Sequence, residues 1–191
     1  GVFTNKAEQG GGPLIDMATH ALDLTLWMMN NYEVASVTGC TFDKIGPVAT
    51  VDEMGNDFGN WDPAKYELED SAFGFVRMKN GAFDIHTVEG MVRLCGTKGG
   101  IDANNGVVAN HVVANRKVDT KIATRGFPMF RPNTIDRNPM VMPQDAEAKI
   151  WVDALYGEGE LFVTPEQALT VTKVLDAIYE SARTGKTIYF D

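Results

Sequence analysis

The sequence predicts an α+β fold, a largely antiparallel open sheet of about six strands with helices packed on one face. Strand-like runs recur between residues 33 and 123, and most of the turns joining them are short and contain Gly or Asn, as expected of strands laid down antiparallel one after another. Helical periodicity marks 14–29 near the start and 144–156 and 165–184 near the end. With 191 residues, 44% hydrophobic and 23% charged, the chain has material for one domain, 1–191, with a sizeable core.

The opening helix carries the chemistry. Gly10-Gly-Gly-Pro13 is a start signal, and 14–29 holds no Gly or Pro and many strong helix formers. At about 100° per residue, Asp16, Thr19, His20, Asp23, Trp27 and Asn30 share a narrow stripe. Leu14, Ile15, Met17, Ala18, Ala21, Leu22, Leu24, Leu26, Met28 and Met29 cover the remainder, so the helix is expected to be mostly buried with one polar seam. A carboxylate and an imidazole on such a helix cost free energy unless they are paired or face a cleft. Asp16 and His20 stand one turn apart, close enough for the carboxylate to hold an imidazole N–H and fix its tautomer. That pair is either a satisfied structural contact or a general acid/base, since a histidine with a pKa near 6.5 carries a proton either way at neutral pH. A metal needs three or four ligands, and no second cluster supplies them. Asp23 lies about 10 Å along the axis from Asp16 and is expected to anchor a neighbouring backbone.

Further along, 33–42 is rich in Val and Thr and reads as a strand. The stretch 44–63, dense in Gly, Asp, Asn and Pro and carrying Trp61, is a long loop, where Trp61 and Tyr66 either wall a pocket or ride on a solvated excursion. Residues 71–78 alternate as a strand, and Asn80-Gly81 predicts a type I′ hairpin turn into 82–89, which carries His86. Gly90 marks a bend before 91–95. The glycines of 96–100 form a turn rather than a phosphate loop, because their spacing fits no nucleotide fingerprint and no helix follows. Ile101, 106–113 with His111, and 117–123 continue the sheet, and the two lone histidines are read as ordinary strand residues. From 124 to 143, Pro128, Pro132, Pro139 and Pro143 among Arg125, Arg131 and Arg137 predict an extended connection. Helix 144–156 follows, with Ala148, Trp151, Val152 and Leu155 in its periodic set. The last helix begins at the capping box Thr164-Pro-Glu-Gln167 and stops at Gly185; its Ala168, Val171, Leu175, Ile178 and Ala182 face the sheet. A short terminal strand is expected in 187–190.

Composition excludes several classes. A net charge of -9 with pI near 4.8 opposes sequence-independent nucleic-acid binding and anionic membranes. The one long apolar segment is shorter than the roughly 20 residues a bilayer needs and contains three ionisable side chains, and Gly1-Val-Phe-Thr-Asn-Lys6 lacks the features of a signal peptide. Cys40 and Cys95 lack metal or disulfide spacing, so reduced thiols in a cytoplasmic protein are expected. An open sheet with helices on one face leaves the other face uncovered, which predicts a homo-oligomer.

The run Gly-Gly-Gly-Pro-Leu-Ile-Asp-x-x-x-His-x-x-Asp, residues 10–23, resembles the signature helix of the Gfo/Idh/MocA oxidoreductases, which include glucose-fructose oxidoreductase and inositol dehydrogenases. Glu69-Asp-Ser-Ala72, Asn80-Gly81, Gly96-Thr-Lys-Gly-Gly100 and Tyr179-Glu-Ser-Ala-Arg-Thr-Gly-Lys186 extend the resemblance over the whole chain in the family's order. It implies the C-terminal domain of such an enzyme, with a fold like the C-terminal domains of dihydrodipicolinate reductase and glyceraldehyde-phosphate dehydrogenase. By the same resemblance His20 and Asp16 are the catalytic pair, and Asp16, His20 and Thr19 contact a sugar, cyclitol or related polyol. The family's Glu-Lys-Pro motif and a Gly-x-Gly-x-x-Gly fingerprint are missing from this sequence. NAD or NADP is therefore expected to be held mainly by an N-terminal Rossmann domain that this chain lacks, and the chain alone is expected to be inactive. The competing expectation is a non-catalytic dimerisation or ligand-sensing module of the same fold.

Overall fold

A computed structural model of the chain describes residues 4–49, 61–81, 83–87, 93–102, 107–122 and 143–191. In chain order the elements are α1 (Lys6–Gln9), α2 (Pro13–Met29), β1 (Val34–Phe42), β2 (Ser71–Met78), β3 (Phe83–Thr87), β4 (Arg93–Gly96), β5 (Gly99–Asp102), β6 (Val107–Val113), β7 (Arg116–Ile122), α3 (Pro143–Leu155), α4 (Pro165–Thr184) and β8 (Ile188–Tyr189). The strands form two four-stranded sheets, ordered β3-β2-β1-β8 and β4-β5-β6-β7, and every described register is antiparallel. The α+β class holds, with the strands parted between two sheets instead of lying in one sheet of about six. The chain divides into two compact units, Gly1–Leu94 with Glu166–Asp191, and Cys95–Pro165.

In the first unit, α2 starts at Pro13, whose missing N–H costs nothing at the first helical position, and ends where Asn30 adopts φ 45°. Asn30 N–H closes on Trp27 O at 2.9 Å and Asn31 N–H on Leu26 O at 3.2 Å. The core joins Leu14, Ala18, Leu22 and Leu26 of α2 to Val37 of β1, Ala72, Val76 and Met78 of β2, and Val171, Val174, Leu175, Ala177 and Ile178 of α4. Both helices therefore press on one sheet face, while Cys40, Phe42, Phe73 and Phe75 stand exposed on β1 and β2. Gly39 pairs with Gly74 across β1 and β2, and a Cβ on either would come within 2.7 Å of the Ile178 side chain. Two glycines thus let α4 lie close on the sheet. Gly39 N–H donates to Ser181 Oγ at 2.9 Å, a second tie between them. On α4, Ala168 is exposed rather than core-facing, and the apolar face is Val171, Val174, Leu175, Ala177 and Ile178.

Two turns differ from expectation. After β2 the Gly81 N–H closes on Met78 O at 3.0 Å, and Gly81 has φ 86° while Asn80 has no positive φ. This is the geometry of a three-residue hairpin loop ending in a left-handed glycine, not a type I′ turn centred on Asn80-Gly81. The type I′ pattern falls instead at Ala114 (φ 48°) and Asn115 (φ 61°), between the paired Val113 and Arg116 of β6 and β7.

In the second unit β4 to β7 form their sheet, with Asn110 Nδ2 donating to Asp119 Oδ1 at 2.8 Å and His111 Nε2 3.4 Å from Thr120 Oγ1. Glycines 96–100 serve the β4–β5 hairpin, as expected. In α3 the periodic set is not buried among the described residues: Ala148, Trp151, Val152 and Leu155 are all exposed. The expected connection 124–142, the tip of the 44–63 loop at 50–60 and the bend at Gly90 lie outside the described residues, as does the His86 side chain.

Candidate active site

Glycines 10–12 let the backbone at the head of α2 pass against two other segments. A Cβ on Gly11 would collide with the Tyr179 hydroxyl, and one on Gly12 with the Glu69 carbonyl. Gly12 has no side chain to cap the helix, and Glu69 does that work from a distance. Its Oε1 accepts from Gly12 N–H at 2.8 Å, Leu14 N–H at 3.2 Å and the Tyr179 hydroxyl at 2.7 Å. A carboxylate at a helix N-terminus also meets the positive end of the macrodipole. Burial and then the Glu69 hydrogen bond push the Tyr179 phenol well above its ordinary range. Next door, Asp70 Oδ2 accepts from Ile45 N–H at 2.6 Å and Gly46 N–H at 3.0 Å, and Trp61 Nε1 donates to Gly46 O at 2.9 Å. Tyr66 lies against Gly46 and 6.1 Å from Trp61. Trp61 and Tyr66 thus brace the turn after β1. Sequence reading missed the role of Glu69 because its partners lie 55 to 110 positions away.

This clamp fixes the axis of α2, and with it the direction of the side chains one turn on. Asp16 and His20 are both exposed on α2, and no hydrogen bond or ion pair joins them among the described residues. Thr19, half-buried between them, donates its hydroxyl proton back to the Ile15 carbonyl, so it has only lone pairs to offer a ligand. Asp23 is partly buried; burial raises its carboxyl above the usual range and the nearby His20 charge lowers it. The carboxylate sensed with the imidazole is therefore Asp23, three residues on, and no described hydrogen bond makes it a backbone anchor. The helix is not mostly buried: Met17 (54%), Leu24 (43%) and Trp27 (48%) are exposed around the polar pair. The buried stripe is only Leu14, Ala18, Leu22, Thr25 and Leu26, because sheet and α4 cover one side of α2 alone.

A groove of about 530 Å³ opens beside the head of α2, lined by Gly10, Gly11, Phe42, Glu69, Tyr179 and Arg183 among others. Neither Asp16 nor His20 lines it. The described residues also supply no cradle for dinucleotide phosphates. The N–H groups of Gly12 and Leu14 are taken by Glu69, and glycines 96–100 lead into a strand instead of a helix. Among the described residues no group of three or more His, Cys, Asp or Glu could hold a metal, and no described helix is long and apolar enough to cross a membrane. Both thiols are free.

The sequence is 30% identical, over 98% of this chain, to D-glucoside 3-dehydrogenase of Escherichia coli (strain K12), and it spans 51% of that enzyme's length. The fold matches aldose-aldose oxidoreductase from Caulobacter crescentus, solved with glycerol, with a TM-score of 0.67 at 19% identity, covering 100% of this chain and 51% of the other. It also matches levoglucosan dehydrogenase in complex with NADH and L-sorbose, with a TM-score of 0.67 at 18% identity, covering 100% of this chain and 54% of the other. The chain thus spans about half the length of the relatives it matches. Residues 4–190 fit the family described as "Oxidoreductase family, C-terminal alpha/beta domain", and the chain belongs to the Gfo/Idh/MocA oxidoreductases as their C-terminal domain.

Proposed function

We propose that this chain is the substrate-binding and acid/base half of an NAD(P)-dependent oxidoreductase that acts on a CH–OH group of a sugar, cyclitol or related polyol. The observation that carries the reading is the placement of Asp16 and His20 on one exposed face of α2, amid the exposed Met17, Leu24 and Trp27. An apolar rim around two ionisable groups is what a second domain would cover while leaving a wet, reactive centre. The names of the relatives, a glucoside dehydrogenase and a levoglucosan dehydrogenase bound to NADH and L-sorbose, support the substrate class and the nicotinamide.

In this reading a nicotinamide, gripped by a Rossmann domain N-terminal to this one, is the hydride acceptor. The residues of this chain handle the proton. As the carbinol becomes a carbonyl, its O–H bond breaks and the proton passes to the imidazole of His20, while Asp16 accepts from an adjacent hydroxyl or orients the ring and Thr19 accepts a further hydroxyl proton. The outer sheet face, with Phe42 and Phe73 in edge-to-face contact at 6.1 Å and Phe75 beside them, is the surface through which copies associate in a cytoplasmic homo-oligomer.

The test is made on the complete polypeptide. His20→Ala is expected to lower turnover about a hundredfold or more with cofactor binding retained. Unchanged turnover would remove His20 from the reaction.

A further inference from the structure

The far end of α2 carries a polar arrangement that the acid/base reading leaves unused. Asn30 at φ 45° turns the chain back on itself, which lays Tyr32 against the core formed by α2, β1, β2 and α4. The Tyr32 hydroxyl oxygen is shielded from solvent and has no hydrogen-bond partner. A buried hydroxyl is normally satisfied, so an orphan calls for a partner reached through a small rotation or a bridging water. Asp23 fits that role. It is partly buried on α2, no described hydrogen bond reaches it, and burial and His20 are the influences acting on its carboxyl. Tyr32 in turn is raised by burial and then by the Asp23 charge, so the two groups lie within electrostatic reach. His20 and Asp23, three residues apart, are neighbours on the helix surface. Asp16 stands about 10 Å from Asp23 along the axis.

We propose that Tyr32 is a positioning residue whose hydroxyl donates to the Asp23 carboxylate, directly or through one water, completing a side-chain series from Tyr32 through Asp23 to His20. The proposal rests on His20 being the acid/base. Its consequence is that Asp23 keeps a fixed aim and its negative charge beside the ring that takes up the substrate proton.

Tyr32→Phe removes the donor and keeps the ring. Carboxyl carbon NMR titration of Asp23 in this 191-residue chain is expected to show its midpoint rising by about half a pH unit or more in the variant, because a donor to the charged form has been lost. Wild-type spectra are expected to show a slowly exchanging Tyr32 hydroxyl proton, whose protection disappears in Asp23→Ala. An unmoved or lowered Asp23 midpoint, with the Leu22 and Leu26 methyl signals unchanged, would overturn the proposal, as would a Tyr32 hydroxyl proton indifferent to Asp23→Ala. These readouts are independent of turnover. An inert His20→Ala in the complete polypeptide would sink the acid/base reading while leaving the Tyr32–Asp23 contact standing.

Discussion

The Tyr179 hydroxyl and the Glu69 carboxylate meet at 2.7 Å, and the same Glu69 oxygen holds the first free N–H groups of α2. One carboxylate therefore joins the loop before β2, the helix bearing Asp16 and His20, and the middle of α4. Glu69→Ala strands a part-buried phenol and two helix N–H groups at once. Each unsatisfied group costs about 1–3 kcal/mol, and loss of a helix cap alone costs about 1 kcal/mol. A destabilisation of about 2–4 kcal/mol is expected in urea unfolding; a loss below about 0.5 kcal/mol would mean that the clamp is ornamental.

The same contact has a pH signature. The folded state holds the Tyr179 proton more tightly than the unfolded chain does, since burial and Glu69 both favour the neutral phenol. The stabilisation is complete below the unfolded tyrosine value of about 10 and is lost as pH rises above it, because only the unfolded state then releases the proton. Unfolding free energy is expected to fall with pH above about 10, and to fall less steeply in Tyr179→Phe. Equal slopes in the two proteins would refute the assignment.

Ile178 sits over the Gly39–Gly74 pair, and its branches explain which glycine tolerates change. A Cβ on Gly74 would meet only the tip of Ile178, Cδ1 at 2.7 Å and Cγ1 at 3.2 Å, whereas one on Gly39 would also face the Phe73 carbonyl at 2.9 Å. Gly39→Ala is expected to be the more damaging, since backbone cannot swing aside. Gly74→Ala should cost about 1–3 kcal/mol and Ile178→Val about 0.5–1.5 kcal/mol. Because valine lacks Cδ1, the double variant is expected to lose about 1 kcal/mol less than the sum. Strict additivity would place the strain elsewhere.

How far the sequence could be read follows from how local each cause was. The start, stop and Pro13 of α2, the β2 strand and the boundaries of α4 rest on neighbouring residues, and the structure has them where the local signals fall. The Glu69 clamp was invisible because a cap supplied from 57 positions away leaves no pattern near the helix. The turn at Ala114-Asn115 was missed because alanine is a poor signal for positive φ, and Asn80-Gly81 misled because only its glycine takes that conformation. For the site, the alignment of Asp16, Thr19, His20 and Asp23 on one seam was legible from periodicity. Periodicity does not say which apolar flanks are covered, so the exposure of Met17, Leu24 and Trp27 was not.

The outer sheet face gives a test of association. Phe73 is 48% exposed and Phe42 is 42% exposed, and their edge-to-face contact presents a continuous aromatic surface. If copies pair through it, Phe73→Arg places a charge in a desolvated contact and should shift the assembly to monomer at micromolar concentration in light scattering, with the helical circular dichroism unchanged. A wild-type chain that is monomeric under those conditions would remove this surface from consideration.

Thr19 and Asp16 differ in what they can do for a polyol, and kinetics should separate them. The Thr19 proton is committed to the Ile15 carbonyl, so the oxygen can only accept one neutral hydrogen bond. Such a bond is worth about 0.5–1.5 kcal/mol. In the complete polypeptide Thr19→Val is therefore expected to raise KM up to about tenfold with kcat nearly unchanged, the mark of uniform binding. Asp16→Asn preserves shape while removing the charge beside the reacting carbinol, so it should lower kcat and kcat/KM together by about 10²-fold or more, the mark of an interaction made in the transition state. If Asp16→Asn altered only KM, Asp16 would be a binding residue like Thr19, and the acid/base work would fall to His20 with Asp23 at its side.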